Sequence, residues 1–268
     1  PRHRRPCGRP VRVGGLMDLN LSGRRALVTG ASTGLGKSTA LALAQEGAEV
    51  AIASRSQEKL AAAKSEIISL VPSAVVHIIP ADVTSNEAVA SMAATAEDVM
   101  GGVDILIANA GGPPPGNFAS TSLDAYSEAL QLNLVSTVAM CSALVPAMQQ
   151  RKWGRVVAIT SLSVREPIGT LILSNTARAG VTGFLKTLAR EVASDGVTVN
   201  SLQPGLHRTP RLEALHDNLA NTAATIPAGI IGDADDFGRV AAFICSDSAK
   251  FITGAAIPLD GGAAHGLQ

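Results

Sequence analysis

From Arg25 onward, short runs of β-branched and aliphatic residues alternate with longer segments whose apolar positions recur at helical spacing. Continuous apolar runs bounded by turn residues read as buried strands at Arg25–Thr29, Glu49–Ala53, Val75–Ile79, Val103–Ala108, Arg155–Ile159, Val197–Ser201 and Ala256–Leu259. Helical segments fall between them at Gly36–Glu46, Gln57–Leu70, Asn86–Met100, Leu132–Gln150 and Asn175–Ser194. Strands separated by helices of this length demand right-handed crossovers and a parallel sheet covered on both faces. The expectation is an α/β chain: a doubly wound, seven-stranded, mostly parallel sheet with helices on both sides. No Pro/Gly/Ser-rich linker divides it and no repeat is visible. Gly111–Gly116 reads as a loop after a strand. Thr209–Gly232 reads as a longer polar connection able to fold over a site as a lid.

Composition sharpens that picture. The 268-residue chain is 46% hydrophobic and 16% charged, with a mean hydropathy of +0.25, yet only 3% aromatic. Its core must be filled by Ala, Val, Ile and Leu, as suits strands buried on both faces. The formal net charge is +0, so no global field recruits nucleic acid or an anionic membrane. No run approaches the ~18 apolar residues of a bilayer span; the longest, Val138–Met148, is interrupted by Ser142 and Pro146. Cys7, Cys141 and Cys245 are too widely spaced for a disulfide framework or a zinc motif. They read as separate reduced thiols of a cytoplasmic protein, and no metal site is expected. Residues 1–16 differ from the rest: five arginines without a signal-peptide apolar stretch, ahead of Met17. They read as a disordered extension or cloning remnant, and 17–268 as one domain.

The turn between the first strand and first helix carries chemistry. Thr29-Gly30-Ala31-Ser32-Thr33-Gly34-Leu35-Gly36 places glycines where a pyrophosphate must approach the backbone closely. The helix N-terminus that follows offers free N–H groups and a positive dipole end to the phosphates. In a strand–turn–helix context this is the signature of a Rossmann dinucleotide site. The end of the second strand selects the nucleotide. An acidic residue there would take the ribose 2′-hydroxyl of NAD. This chain has Ser54-Arg55 instead, a phosphate-reading pair that favours NADP(H) over NAD(H), with Lys37 able to add charge nearby.

The glycine turn, Asp82-Val83, Asn109-Ala110-Gly111, Asn133, Ser161 and Pro204-Gly205 occur in one order along the chain, ending in Gly254…Asp260-Gly261-Gly262. This set resembles the short-chain dehydrogenase/reductase family over about Leu21 to Gly262, nearest its 3-oxoacyl-(acyl-carrier-protein) reductase-like branch. The resemblance implies roles for these residues. Asp82 and Val83 would contact the adenine, and Asn109, Ala110 and Gly111 would pack beside its ribose. Pro204, Gly205 and Thr209 would border the nicotinamide. Asn133 would kink its helix and hold a relay water, while Ser161 would hydrogen-bond the substrate carbonyl. The resemblance also implies a homodimer or homotetramer, assembled through the helices at Leu132–Met148 and after Ser174.

One departure matters more than these matches. Where the family carries a catalytic Tyr and Lys one helical turn apart, this chain has Ser174 and Arg178. Its only tyrosine, Tyr126, precedes Asn133. A serine hydroxyl is shorter and far less acidic than a phenol, and Arg178 keeps a positive charge but will not shuttle a proton. The expected activity is therefore NADP(H)-dependent oxidoreduction of a small-molecule carbonyl or acyl substrate with an atypical active site. The alternative is a homologue using the bound nucleotide for a lyase, isomerase or regulatory role. Other polar residues near the expected pocket are His207, read as an acid/base candidate or a lid-surface residue, and Arg165–Glu166, read as a local ion pair. Arg208 and Arg211 would either hold an anionic substrate or solvate the lid.

Overall fold

The computed structural model describes residues 18–215 and 218–266. The readings of residues 1–16, of Met17 and of Cys7 lie outside them.

Seven strands form one sheet: β1 (Arg25–Thr29), β2 (Glu49–Ser54), β3 (Val76–Pro80), β4 (Ile105–Ala108), β5 (Gly154–Ile159), β6 (Val197–Pro204) and β7 (Ala256–Leu259). Their spatial order is β3-β2-β1-β4-β5-β6-β7, and every pairing is parallel. The order reverses between β1 and β4, where two halves wound in opposite directions meet. Such switch points open a crevice at the carboxyl ends of the strands.

The helices are α1 (Gly34–Gln45), α2 (Gln57–Leu70), α3 (Asn86–Met100), α4 (Leu123–Leu130), α5 (Ser136–Gln150), α6 (Ile172–Val192), α7 (Pro210–Leu215), α8 (Leu219–Ala224) and α9 (Ala234–Cys245). Period-two alternation splits the strands between two cores. Val28, Ile52, Ile105 and Ile107 face a core built with Leu43 of α1 and Phe237 and Ile244 of α9. Leu27, Ala51, Leu106 and Val156 face a second core with Met92, Met140, Leu144 and Leu185.

Four expectations need correction. α9 is absent from the sequence reading, although α1 and α9 pack closely against one another. Gly238 makes that possible: a Cβ there would lie 2.4 Å from the Ser38 carbonyl oxygen. The helix expected over Leu132–Gln150 begins earlier, as α4, and passes through a π-turn at Gln131–Val135 before α5. This continuous 28-residue helix reaches a mean hydropathy of 1.5, long and apolar enough to cross a membrane. Its apolar face is explained by burial, because Met140, Cys141, Leu144, Val145 and Met148 pack into the second core. The Thr209–Gly232 connection is not simply a polar loop but holds α7 and α8. Cys141 and Cys245 are buried thiols, each pushed up to about 12 by desolvation.

At the opposite edge from the crevice, Asp104 ties β1 to the turn before β4. Its carboxylate accepts from Arg25 Nε at 2.8 Å and Arg25 Nη2 at 2.7 Å, with Arg151 Nε at 3.4 Å. Burial pushes the Asp104 carboxyl up, but the Arg25 hydrogen bonds and charge outweigh it and hold the group below its ordinary value. A depressed carboxylate contributes stability above its unfolded pKa, and that stability is lost as pH falls through the folded value. Asp104→Asn should cost about 2 kcal/mol, discounted from a fully buried pair because Arg25 is partly exposed. Urea unfolding at neutral pH and near pH 3 should show the cost shrinking at the acid end; an equal cost at both would refute the linkage.

Candidate active site

The crevice is built by backbone geometry first. Gly30 and Gly34 both sit at φ +58, a region that L side chains rarely adopt. Gly36 is required for a different reason: a Cβ there would stand 2.4 Å from the Gly30 carbonyl oxygen and 2.8 Å from Asn109 Nδ2. Thr29 and Asn109 lock β1 to β4 at this point. The Thr29 hydroxyl donates to the Asn109 carbonyl at 2.8 Å and accepts from the Asn109 N–H at 2.9 Å, while Asn109 Nδ2 donates to the Gly30 carbonyl at 3.2 Å.

A cavity of about 340 Å³ opens on this turn. Its walls include Gly30, Thr33, Gly34 and Leu35 from the turn and Asn109, Ala110 and Gly111 from the end of β4. Ser161, Ser174, Arg178, Pro204, Gly205 and Thr209 complete it. Thirteen of the sequence-derived candidates therefore meet in one place. Ser32, Gly36, Ser54, Arg55, Asp82, Val83 and Asn133 do not line this cavity.

Ser54, Arg55 and Asp82 lie at or just past the ends of β2 and β3. Ser54 Oγ is buried with no hydrogen-bond partner, an acceptor and donor left open where the second strand ends. Asp82 is held below its ordinary value by hydrogen bonds from Thr84, with Arg55 adding a favourable charge. The strand end carries Ser54 and Arg55 and no carboxylate. Lys37 does not add charge there, because its ammonium pairs with Glu66 at 2.7 Å.

Asn133 occupies the π-turn between α4 and α5. Its Nδ2 donates to the Gly111 carbonyl at 2.9 Å, and its Oδ1 is buried without a partner. Asn133, Thr137 and Arg178 border a small cavity of about 10 Å³ behind the main one, room for about one water.

Ser174 and Arg178 lie one turn apart on α6, both buried, and both reach the main cavity. Arg178 Nη1 donates to the Ile159 carbonyl at 2.9 Å. Among the described residues no carboxylate pairs with it. Desolvation, with a smaller contribution from Arg211, lowers its guanidinium to about 10. Ser161 caps the turn after β5, accepting from the Ser163 N–H at 3.1 Å. Tyr126 is not among the cavity's walls.

The remaining polar candidates lie elsewhere or behave differently. Arg165 and Glu166 form no ion pair with each other. Arg165 donates to Gln203 and to the Ala256 carbonyl, both at 2.6 Å, while Glu166 accepts from His265. The two neighbours reach different partners just after a short 3₁₀ turn, Leu162–Val164. His207 is not on the lid surface: it is buried, packs edge-on against Phe237, and contacts the Gly205 carbonyl at 3.3 Å. Burial lowers its pKa below the ordinary value.

Beside the main cavity lies a second chamber of about 530 Å³, which the sequence reading did not anticipate. Leu35, Leu171, Pro204, Gly205, Thr209 and Arg211 belong to both. Leu206, Leu212, Leu215 and Ile168 make the chamber apolar. The i, i+3 spacing of Leu212 and Leu215 after Pro210 was the available signal, a helix start followed by one apolar stripe.

Comparison with known proteins places this arrangement. Residues 30–264 match the family model described as enoyl-(acyl carrier protein) reductase. The chain is 36% identical to 3-oxoacyl-(acyl-carrier-protein) reductase FabG of Vibrio cholerae over 247 residues, 91% of this chain and 98% of that one. It is 34% identical to FabG of Escherichia coli K12 over 245 residues, again 91% and 98%. Among solved structures it resembles L-sorbose reductase from Gluconobacter frateurii complexed with NADPH and L-sorbose, with TM-score 0.88 and 26% identity, covering 94% of this chain and 100% of that one. It also resembles YwfH, an NADPH-dependent reductase involved in bacilysin biosynthesis, with TM-score 0.88 and 27% identity, covering 91% and 99%.

The cradle makes a direct demand on Gly36. Gly36→Ala should cost roughly 1–3 kcal/mol through overpacking against the Gly30 carbonyl and weaken NADPH binding markedly. Gly183→Ala on α6, where nothing lies within 4 Å of the added carbon, is the control and should leave both unchanged or raise stability. Thermal unfolding and fluorescence titration with NADPH would decide; equal behaviour of the two variants would sink the assignment.

Proposed function

The chain belongs to the short-chain dehydrogenase/reductase family of oxidoreductases, and on that premise we propose that it is an NADP(H)-dependent enzyme acting on a carbonyl or secondary alcohol through Ser161, Ser174 and Arg178. The observation that carries this reading is the convergence of those three side chains on the cavity that also opens on Gly30 and Gly34. The glycine cradle, the unpartnered Ser54 Oγ and the acid-free end of β2 support NADP(H) as the nucleotide. The structurally similar L-sorbose reductase is complexed with NADPH, which is consistent with a nicotinamide cofactor.

When bound, the reduced nicotinamide supplies the hydride. The protein's part is to hold the carbonyl oxygen and the negative charge that grows on it. The Ser161 and Ser174 hydroxyls are hydrogen-bond donors for that oxygen, and a preorganised donor in a water-poor site acts most strongly as charge develops. Arg178 adds a fixed positive charge whose burial removes competing water. None of these groups is a neutral-pH acid. The proton must come through solvent, and Asn133 Oδ1 beside the small cavity is placed to orient the water that delivers it. A homodimer or homotetramer belongs to the same reading. Phe118, Leu123 and Phe251 are large side chains left exposed on the monomer, as surfaces buried between subunits would be.

Purified protein should oxidise NADPH when given ketones, with stereospecific alcohol as product. Ser161→Ala should lower kcat by about 100-fold or more, the loss typical of one oxyanion donor. Tight NADPH binding without turnover of any carbonyl would instead favour a non-redox role for the bound nucleotide. No NADPH binding would defeat both. The pH profile is a second test. Burial lowers the pKa of His207 below its ordinary value, and Arg178 stays charged until pH nears about 10. The kcat should therefore be level between about pH 7 and pH 9 and fall only as Arg178 loses its proton. A sigmoidal dependence centred near neutrality would reveal a titrating acid outside this set.

A further inference from the structure

The cavity and the chamber meet at Arg211, and its surroundings narrow the substrate. Arg211 Nη1 donates to the Gly112 carbonyl at 3.1 Å and Nη2 to the Pro113 carbonyl at 3.4 Å. Gly112 leaves room for this: a Cβ there would come within 2.9 Å of the guanidinium. The arginine is thus seated against the loop after β4 by two neutral acceptors. Among the described residues no carboxylate pairs with it. Two arginines, 178 and 211, therefore face the same space with no protein anion between them, and their mutual repulsion contributes to the lowered pKa of Arg178.

The chamber behind Arg211 is of the opposite character. Its volume of about 530 Å³ falls in the range that holds a small organic ligand. Its walls are mostly Leu, Ile and Pro side chains with Thr170 and Thr209, and among the described residues the one titratable group besides Arg211 is His207, whose pKa burial lowers. A positive charge at the mouth of an apolar chamber suits a molecule with one negative end and a hydrocarbon body.

Resting on the reductase reading above, we propose that the substrate is a free carboxylic acid with an apolar body. Its carboxylate pairs with Arg211, its hydrocarbon fills the chamber, and its reacting carbonyl faces Ser161, Ser174 and Arg178. Arg is suited to this task because its planar fork matches a carboxylate. A carrier-bound thioester has no charge near its reacting carbonyl and would leave Arg211 without an anionic partner. The reaction balances as ketone plus NADPH plus a proton giving the secondary alcohol and NADP⁺, with the carboxylate unchanged.

Calorimetry on the full chain saturated with NADP⁺ tests this without turnover. Octanoate should bind at least about tenfold more tightly than octanamide, the scale of one charge-assisted pair. Arg211→Gln should erase that difference while leaving octanamide and NADP⁺ affinities unchanged, and Arg211→Lys should keep part of it. Across butanoate, hexanoate and octanoate, affinity should rise about three- to fourfold per added CH₂. Equal binding of octanoate and octanamide by the wild-type protein would overturn the proposal, whatever the variants do. A loss of NADP⁺ affinity in Arg211→Gln as large as the loss for octanoate would assign Arg211 to the dinucleotide instead. A flat chain-length series would remove the chamber from the substrate site. Acid selectivity in a protein that never oxidises NADPH would leave this inference standing and defeat the reductase reading alone.

Discussion

The Thr29–Asn109 clasp sets the geometry on which everything else rests. Strands β1 and β4 are neighbours in space but lie 80 residues apart in sequence, and the direction of winding reverses between them. A reciprocal pair of hydrogen bonds fixes where the two chains part, and therefore where the crevice begins. Asn109 Nδ2 then reaches the Gly30 carbonyl, so one side chain holds both walls. The close fit explains why glycine is needed at 30 and at 36: a Cβ at either position would strike Asn109. The same fit that locks the sheet also leaves the backbone bare, and a bare backbone at a helix N-terminus is what a pyrophosphate requires. Stability and nucleotide binding are here two consequences of one close approach.

Much of this could be read from the sequence because it depends on local pattern. Continuous apolar runs marked all seven strands, since strands buried on both faces lose their alternation and become conspicuous. Helical spacing of the apolar positions placed α2 and α3 at their observed limits. The turn glycines were legible because L side chains rarely adopt the positive φ of Gly30 and Gly34. What escaped was tertiary. α9 carries an aspartate cap, acidic residues in its first turn and a stripe at Phe237, Ala241 and Ile244, all visible in the chain. Its place in the fold depends on packing against α1, which Gly238 makes possible. The ion pair expected between Arg165 and Glu166 assumed that sequence neighbours share a partner. In the fold one reaches across to β6 and β7 and the other to His265. His207 sounded like a surface residue because it sits in a lid, yet the chain there turns inward, and Gly232 leaves room for the ring: a Cβ would lie 2.7 Å from it.

The pair Ser174 and Arg178 raises a question of charge rather than of pattern. An ammonium beside a phenol works by lowering the phenol's pKa toward neutrality, so that proton and hydride move together. Without the phenol there is nothing to tune, and a lysine in that position would itself be liable to lose its proton when buried. Arginine resists this more strongly. Even fully desolvated and facing a second arginine, Arg178 remains at about 10. On the proposed reading, a short hydroxyl and a buried cation stand in place of a titratable pair, and proton transfer is exchanged for field strength. On that reading the site stabilises the oxyanion first and leaves its protonation to water.

That exchange bears on which substrates such a site can serve. A permanent cation inside the cavity acts on any anion within reach, not only on the transition state. A substrate bearing its own negative charge would be drawn toward Arg178, where it would compete with the developing oxyanion. A second cation placed away from the reacting centre resolves the conflict by giving the fixed anion a position of its own. Arg211 is so placed, on α7 and braced against the loop after β4, with the apolar chamber behind it. Thr209, which precedes α7, caps the Leu212 N–H and stands 3.4 Å from where a Cβ on Gly34 would be. The segment that carries Arg211 is therefore seated directly on the nucleotide turn. Charge separation in the substrate and the position of the lid are then set by the same few residues, which ties substrate choice to the cradle that holds the nucleotide.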